Sequence, residues 1–138
     1  RLAFGSIDFQ LDTAISGEQE ELLYARSRLV LASRITSILP PVDGVTMALD
    51  DLARLQDDVA RARRLGFGGK LCIHPRQVDT INRGFAPTGS ERAWARRILE
   101  AAEASGAGGA GALQLDGELV DRPVIERARS ILAQADAP

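Results

Sequence analysis

"GFGGKLCIHPRQVDTIN", residues 66–82, holds the single histidine of the chain, His74, its single cysteine, Cys72, and a proline directly after the histidine. Leu71, Cys72 and Ile73 form a continuous apolar run. Such runs suit strands buried on both faces, as in parallel sheets. Gly66 closes the preceding segment and "QVDTINRGF" reopens a helical pattern. The stretch therefore reads helix end, strand, helix start. Its strand delivers His74 to the following loop.

Working outward, the same alternation recurs. "DDLARLQDDVARARRLG" places Leu52, Leu55, Val59, Ala62 and Leu65 at helical spacing. Asp50 or Asp51 can cap its start, and Gly66 can adopt the left-handed conformation that ends it. "PPVDGVTMAL" before it reads as a strand around 42–49, since Pro40 and Pro41 exclude helix. "ISGEQEELLYARSRLVLASRITSI" reads as a helix, with Ser16 and Gln19 in capping-box spacing and Leu22, Leu23, Leu29 and Val30 as its stripe. "RLAFGSID" at the start reads as a strand followed by a loop bearing Gly5, Ser6 and Asp8.

Beyond residue 82, "TGSERAWARRILEAAEASG" is a helix with Thr88 and Glu91 in capping-box spacing and Gly106 past its end. "GAGGAG", residues 106–111, has linker composition. "ALQLDGELVD" alternates around Asp116-Gly117, a favoured two-residue hairpin turn. "RPVIERARSILAQA" closes the chain with a helix whose apolar face is Val124, Ala128, Ile131 and Leu132.

Three strand–helix repeats predict parallel βαβ units. Three such strands make a small open sheet, marginal when covered on both faces, or part of a (β/α)8 barrel, whose edge strands are then unpaired and apolar. The chain also opens without Met on a run that already reads as strand. The expectation is the C-terminal part of a longer protein: barrel residues 1–105, then a linker, hairpin and helix extension over 106–138.

Bulk composition narrows the function classes. The 138 residues carry 17 Lys and Arg against 19 Asp and Glu, a formal net charge of −2. That balance gives no footprint for nucleic acid or an anionic membrane surface. One cysteine cannot form an internal disulfide, which points to a reducing cytoplasm.

Functional groups of parallel βα units lie in the loops after the strands. Asp8 is a carboxylate in a glycine-bearing loop of that kind. It suits a hard cation such as Mg²⁺, or else it caps the next turn. His74 has no second histidine and no spaced cysteine to share a metal. As a strand-end residue it is expected to be held by a backbone hydrogen bond. Asp121, just before the last helix, reads as that helix's cap.

The phrases "FGSIDFQLD", "VDGVTMALDD", "LGFGGKLCIHPRQVDTINRGFAPTGSERAWARRILEA" and "LDGELVDRPVIERA" together resemble the citrate lyase beta-subunit-like family, a branch of the HpcH/HpaI aldolase superfamily. The resemblance covers nearly the whole chain. It implies a partial (β/α)8 TIM barrel, the last three βα units with a helix–hairpin–helix extension. It implies Mg²⁺ held by two carboxylates, one outside this chain and one at Asp8, and a substrate-binding Arg also outside the chain. It places a catalytic acid/base at Asp121, on an extension that reaches a neighbouring subunit of a trimer or hexamer, with "GAGGAG" as the hinge. His74 and Pro75 fall in the loop facing coenzyme A. The implied reaction is cleavage of a malyl-, citramalyl- or citryl-CoA-like thioester to an acyl-CoA and a keto acid, with this chain alone inactive. The alternatives are a CoA-independent pyruvate-type aldolase and a non-catalytic thioester-binding or structural module.

Overall fold

A computed structural model describes residues 1–105 and 113–135. They form an α/β fold in two compact units, Arg1–Phe85 and Ala86–Pro138. The linker "GAGGAG" and Gly106 lie outside the described residues.

In the first unit three parallel segments lie side by side. Residues 2–4 bridge to β1 (Val42–Asp43), which pairs in parallel with β2 (Gly69–Lys70). Phe4 N–H donates to the Val42 carbonyl and Val42 N–H to the Leu2 carbonyl, each at 2.9 Å. On the other side Gly68 N–H donates to the Pro41 carbonyl and Leu71 N–H to the Asp43 carbonyl. Between segments run α1 (Ser6–Thr13), α2 (Leu23–Ile35) and α3 (Leu52–Leu65), and after β2 come a 3₁₀ turn (Pro75–Gln77) and α4 (Val78–Phe85).

The α3 helix follows its sequence pattern except at Leu52, expected on the apolar stripe but exposed in its first turn. Asp51 accepts from Arg54 N–H at 2.9 Å, and Gly66 ends the helix at φ 97°, a conformation that a side chain would oppose. Leu55, Val59 and Ala62 face inward and pack with Phe67, Ile81 and Phe85.

Four expectations are corrected. The first loop is a helix: α1 begins at Ser6, directly after the extended segment, and Asp8 sits in its first turn. The Ser16–Gln19 capping box does not form, because residues 14–22 lie outside any helix, and α2 starts at Leu23 without a side-chain cap. Its inner face carries Arg26 and Ser33, while Leu23 turns outward. The second strand covers Val42–Asp43 rather than 42–49: Lys70 Nζ takes the Gly44 carbonyl and Gln77 Nε2 the Thr46 carbonyl, so these oxygens do not enter a ladder. The third strand covers Gly69–Lys70, and the run after it is not buried. Leu71, Cys72 and Ile73 are all exposed, since no described strand pairs with the far edge of β2.

In the second unit α5 (Gly89–Ala104) and α6 (Arg122–Ala135) pack together with the hairpin β3 (Leu113–Leu115) and β4 (Glu118–Val120). The Thr88–Glu91 capping box forms reciprocally, at 3.1 and 2.7 Å. Asp116 and Gly117 both adopt positive φ, 53° and 84°, as a type I′ turn requires. The core joins Ala95, Ile98 and Ala102 of α5 to Val120, Ile125 and Ala128, with Trp94 at its margin under the Arg127 guanidinium. In this unit α5 packs with α6 and the hairpin. No helix among the described residues is long and apolar enough to cross a membrane.

Candidate functional site

Parallel pairing brings the C-terminal ends of all three segments to one end of the first unit. That end carries α1 with Asp8, the Asp43–Gly44 exit of β1, and the Leu71–His74 exit of β2. This is the end at which parallel α/β folds bind ligands.

Asp8 is exposed. It borders an open depression of about 560 Å³ lined by Phe4, Gly5, Phe9, Leu11 and Asp12. Edge-to-face packing of Phe4 against Phe9, with ring centroids 5.5 Å apart, ties α1 to the segment before it. Among the described residues no group of three or more His, Cys, Asp or Glu side chains can hold a metal ion. Among the described residues this depression therefore offers Asp8, with Asp12 on the next turn of α1, and no third ligand. That fits Mg²⁺, which takes one or two carboxylates and keeps several waters, when another ligand comes from elsewhere.

His74 is half-buried at the start of the 3₁₀ turn. Its Nδ1 accepts from Arg76 N–H at 3.1 Å, so the neutral ring carries its proton on Nε2. Pro75 is the first residue of that turn. Gln77, fully buried beneath it, donates to the Thr46 carbonyl and accepts from Ile73 N–H at 3.1 Å, joining the exits of β1 and β2.

Asp121 belongs to the second unit. Its Oδ1 accepts from Val124 N–H at 3.2 Å and caps α6. The described geometry thus gathers Asp8, His74 and Pro75 at one end of the first unit, and holds Asp121 within the second.

Sequence reasoning missed the buried charge cluster under the site. Arg26 Nε contacts Asp43 Oδ1 at 2.8 Å, and Lys70 Nζ lies 3.8 Å from Asp43 Oδ2. The Arg26 guanidinium also covers the Phe4 ring and donates to the Glu18 carbonyl. Burial pushes the Lys70 ammonium below the ordinary lysine range, and Asp43 opposes that shift without reversing it. Arg61 is lowered too, first by burial and then by the Arg26 charge. A signal existed: a lysine inside "GKLCIH", a strand read as buried, requires a carboxylate partner.

Residues 1–75 match the family model HpcH/HpaI aldolase/citrate lyase. The chain belongs to this family. Among the family's curated proteins, the citrate lyase subunit beta-like protein of Deinococcus radiodurans is 40% identical over 94% of this chain and 46% of its own length. The citrate lyase subunit beta of Escherichia coli K12 is 40% identical over 98% of this chain and 45% of its own. The chain thus spans just under half the length of these relatives. The crystal structure of CitE from Mycobacterium tuberculosis in complex with magnesium, acetoacetate and coenzyme A superposes with a TM-score of 0.83. It is 27% identical, over 98% of this chain and 51% of that one.

Proposed function

We propose that the chain is the C-terminal part of a (β/α)8 barrel in a lyase that cleaves a 3-hydroxyacyl-CoA of the malyl, citramalyl or citryl type. The observation that carries this reading is the exposed Asp8 carboxylate at the ligand-binding end of parallel segments, in a chain of the HpcH/HpaI aldolase/citrate lyase family. The M. tuberculosis relative, crystallised with magnesium and coenzyme A, supports the choice of metal and substrate class.

Asp8 is the metal ligand this chain contributes, paired with a carboxylate outside it. Bound there, Mg²⁺ supplies Lewis-acid polarisation of the keto-acid carbonyl. His74 and Pro75 shape the loop that receives the coenzyme, with His74 Nε2–H free of the backbone bond that occupies Nδ1. Asp121 acts as acid and base. It takes the proton of the 3-hydroxyl as the bond between C2 and C3 breaks, and the electron pair left on C2 of the acyl-CoA is then protonated. A positioned carboxylate in this role contributes roughly 10²–10⁴-fold. The extension that carries it serves a neighbouring subunit of a homo-oligomer, a trimer or hexamer. The single thiol suggests a cytoplasmic location.

The test uses the intact protein with Mg²⁺ and the three thioesters, following release of glyoxylate, pyruvate or oxaloacetate. Turnover of one of them, abolished in Asp8→Asn, is the expected result. No turnover with any of them rejects the reading. Turnover only of a free 4-hydroxy-2-oxo acid transfers it to a CoA-independent aldolase.

A further inference from the structure

The exits of two neighbouring parallel segments meet at a buried glycine. Gly44 follows Asp43 out of β1, and Lys70 Nζ donates to its carbonyl at 2.7 Å. Asp43 is itself fixed by Arg26 and Lys70, so the Gly44 peptide is held on one side by buried charge. On its other side is Ser6, the first residue of α1, also buried. A Cβ built on Gly44 would stand 2.6 Å from Ser6 Cβ, closer still to Ser6 Oγ, and 3.2 Å from the Phe4 carbonyl oxygen. Ser6 fills the space that a side chain at 44 would take.

Ser6 has little freedom to retreat. Its N–H donates to the Phe4 carbonyl at 3.0 Å, and Phe4 N–H is anchored to β1 at 2.9 Å. Asp8 lies two residues further on the same helical turn. Its carboxylate folds back over Gly5, where an added Cβ would come within 3.2 Å of Oδ2. Displacing Ser6 therefore displaces the turn that presents the carboxylate.

We propose that Gly44, clamped by Lys70, is a positioning residue for Asp8: the missing side chain sets how deeply Ser6 seats, and so where α1 holds the carboxylate. This rests on the reading of Asp8 as a metal ligand given above. Residues that orient a ligand from behind typically alter metal affinity by roughly 10–100-fold when changed.

The experiment uses the intact protein and two measurements: ¹H–¹⁵N shifts of the Ser6–Asp8 amides without metal, and the Kd for Mn²⁺ by electron paramagnetic resonance. Gly44→Ala is expected to move those amides and raise the Kd about 10-fold. Adding Ser6→Gly removes both clashing side-chain atoms, and the double variant is expected to return both readings to those of Ser6→Gly alone. Should Gly44→Ala not fold, the double variant decides: a folded protein with the Mn²⁺ affinity of Ser6→Gly supports the proposal, and an unfolded one overturns it. A folded Gly44→Ala protein that keeps wild-type Mn²⁺ affinity, while Asp8→Asn has lost it, also overturns it. If Asp8→Asn binds Mn²⁺ normally, the metal reading of Asp8 fails, whereas the metal-free amide shifts still report whether Gly44 seats the turn.

Discussion

Arg26 Nε and Asp43 Oδ1 lie 2.8 Å apart, with both side chains almost fully withdrawn from solvent. The pair joins the inner face of α2 to the exit of β1. Breaking one partner of a buried ion pair leaves the other charged and unsolvated, and costs about 3–5 kcal/mol. Asp43→Ala is therefore expected to lower the urea midpoint strongly, because it strands Arg26 and Lys70 together. A change of less than about 1 kcal/mol would show that water enters the cluster and relieves it.

Lys70 should make stability depend on alkaline pH. Burial holds its folded pKa below the ordinary value of 10.5. Between the two values the unfolded chain binds more protons than the folded one, so stability rises with pH across that window. Below the folded pKa both states are protonated and the full penalty applies. The stability of wild type relative to Lys70→Met should therefore stay level below the folded pKa of Lys70 and rise between it and 10.5. Urea titrations at stepped pH measure it, and a flat difference would reject the assignment.

Asp121 needs two substitutions to separate its roles. Its carboxylate caps α6 through Val124 N–H, so Asp121→Ala loses a cap as well as a charge, at about 1 kcal/mol of stability. Asp121→Asn keeps a good capping side chain and is expected to retain the wild-type melting temperature while losing acid/base function. Thermal melts and the thioester assay on both variants check this. Unimpaired turnover in Asp121→Asn would leave the residue a helix cap alone.

Leu22 and Leu31 lie nine residues apart and face opposite ways. Leu22 has no exposed surface and Leu31 is 57% exposed. Leu22→Ala should cost about 2–5 kcal/mol by opening a cavity, whereas Leu31→Ala should stay within about 0.5 kcal/mol. Chemical denaturation of the two variants gives the comparison directly.

The legible parts of this chain were those in which local chemistry and tertiary role agree. Asp51, Gly66, Thr88 with Glu91, and Asp116-Gly117 each adopt the cap or turn that their spacing predicts. The apolar face of α3 matches the pattern at Leu55, Val59 and Ala62, though Leu52 is exposed, and that of α6 matches at Val124, Ala128, Ile131 and Leu132, with Ile125 buried beside them. Misreadings fall where tertiary contacts override local signals. Ser16 and Gln19 have capping-box spacing, yet residues 14–22 turn so that the Glu18 carbonyl can meet Arg26 and Arg61. Nothing in the stripe of Leu22, Leu23, Leu29 and Val30 marks Arg26 as inward-facing, and only the fold supplies the Asp43 that draws it inward. Leu71 and Ile73 read as core, but strand burial depends on neighbours that no local pattern specifies. For the site, Asp8 was legible as a residue after a strand. Its place on a helix was not, because α1 starts after Gly5 with no side-chain cap, so no local start signal marks it.

The sharing of one carboxylate by Arg26 and Lys70 constrains how this sequence can drift. A lineage that loses Asp43 first must carry two stranded cations, and one that loses Arg26 or Lys70 first leaves a weakened anchor. The permissible route is concerted replacement, so divergent relatives should exchange the trio as a set, for apolar side chains of similar volume, rather than one member at a time.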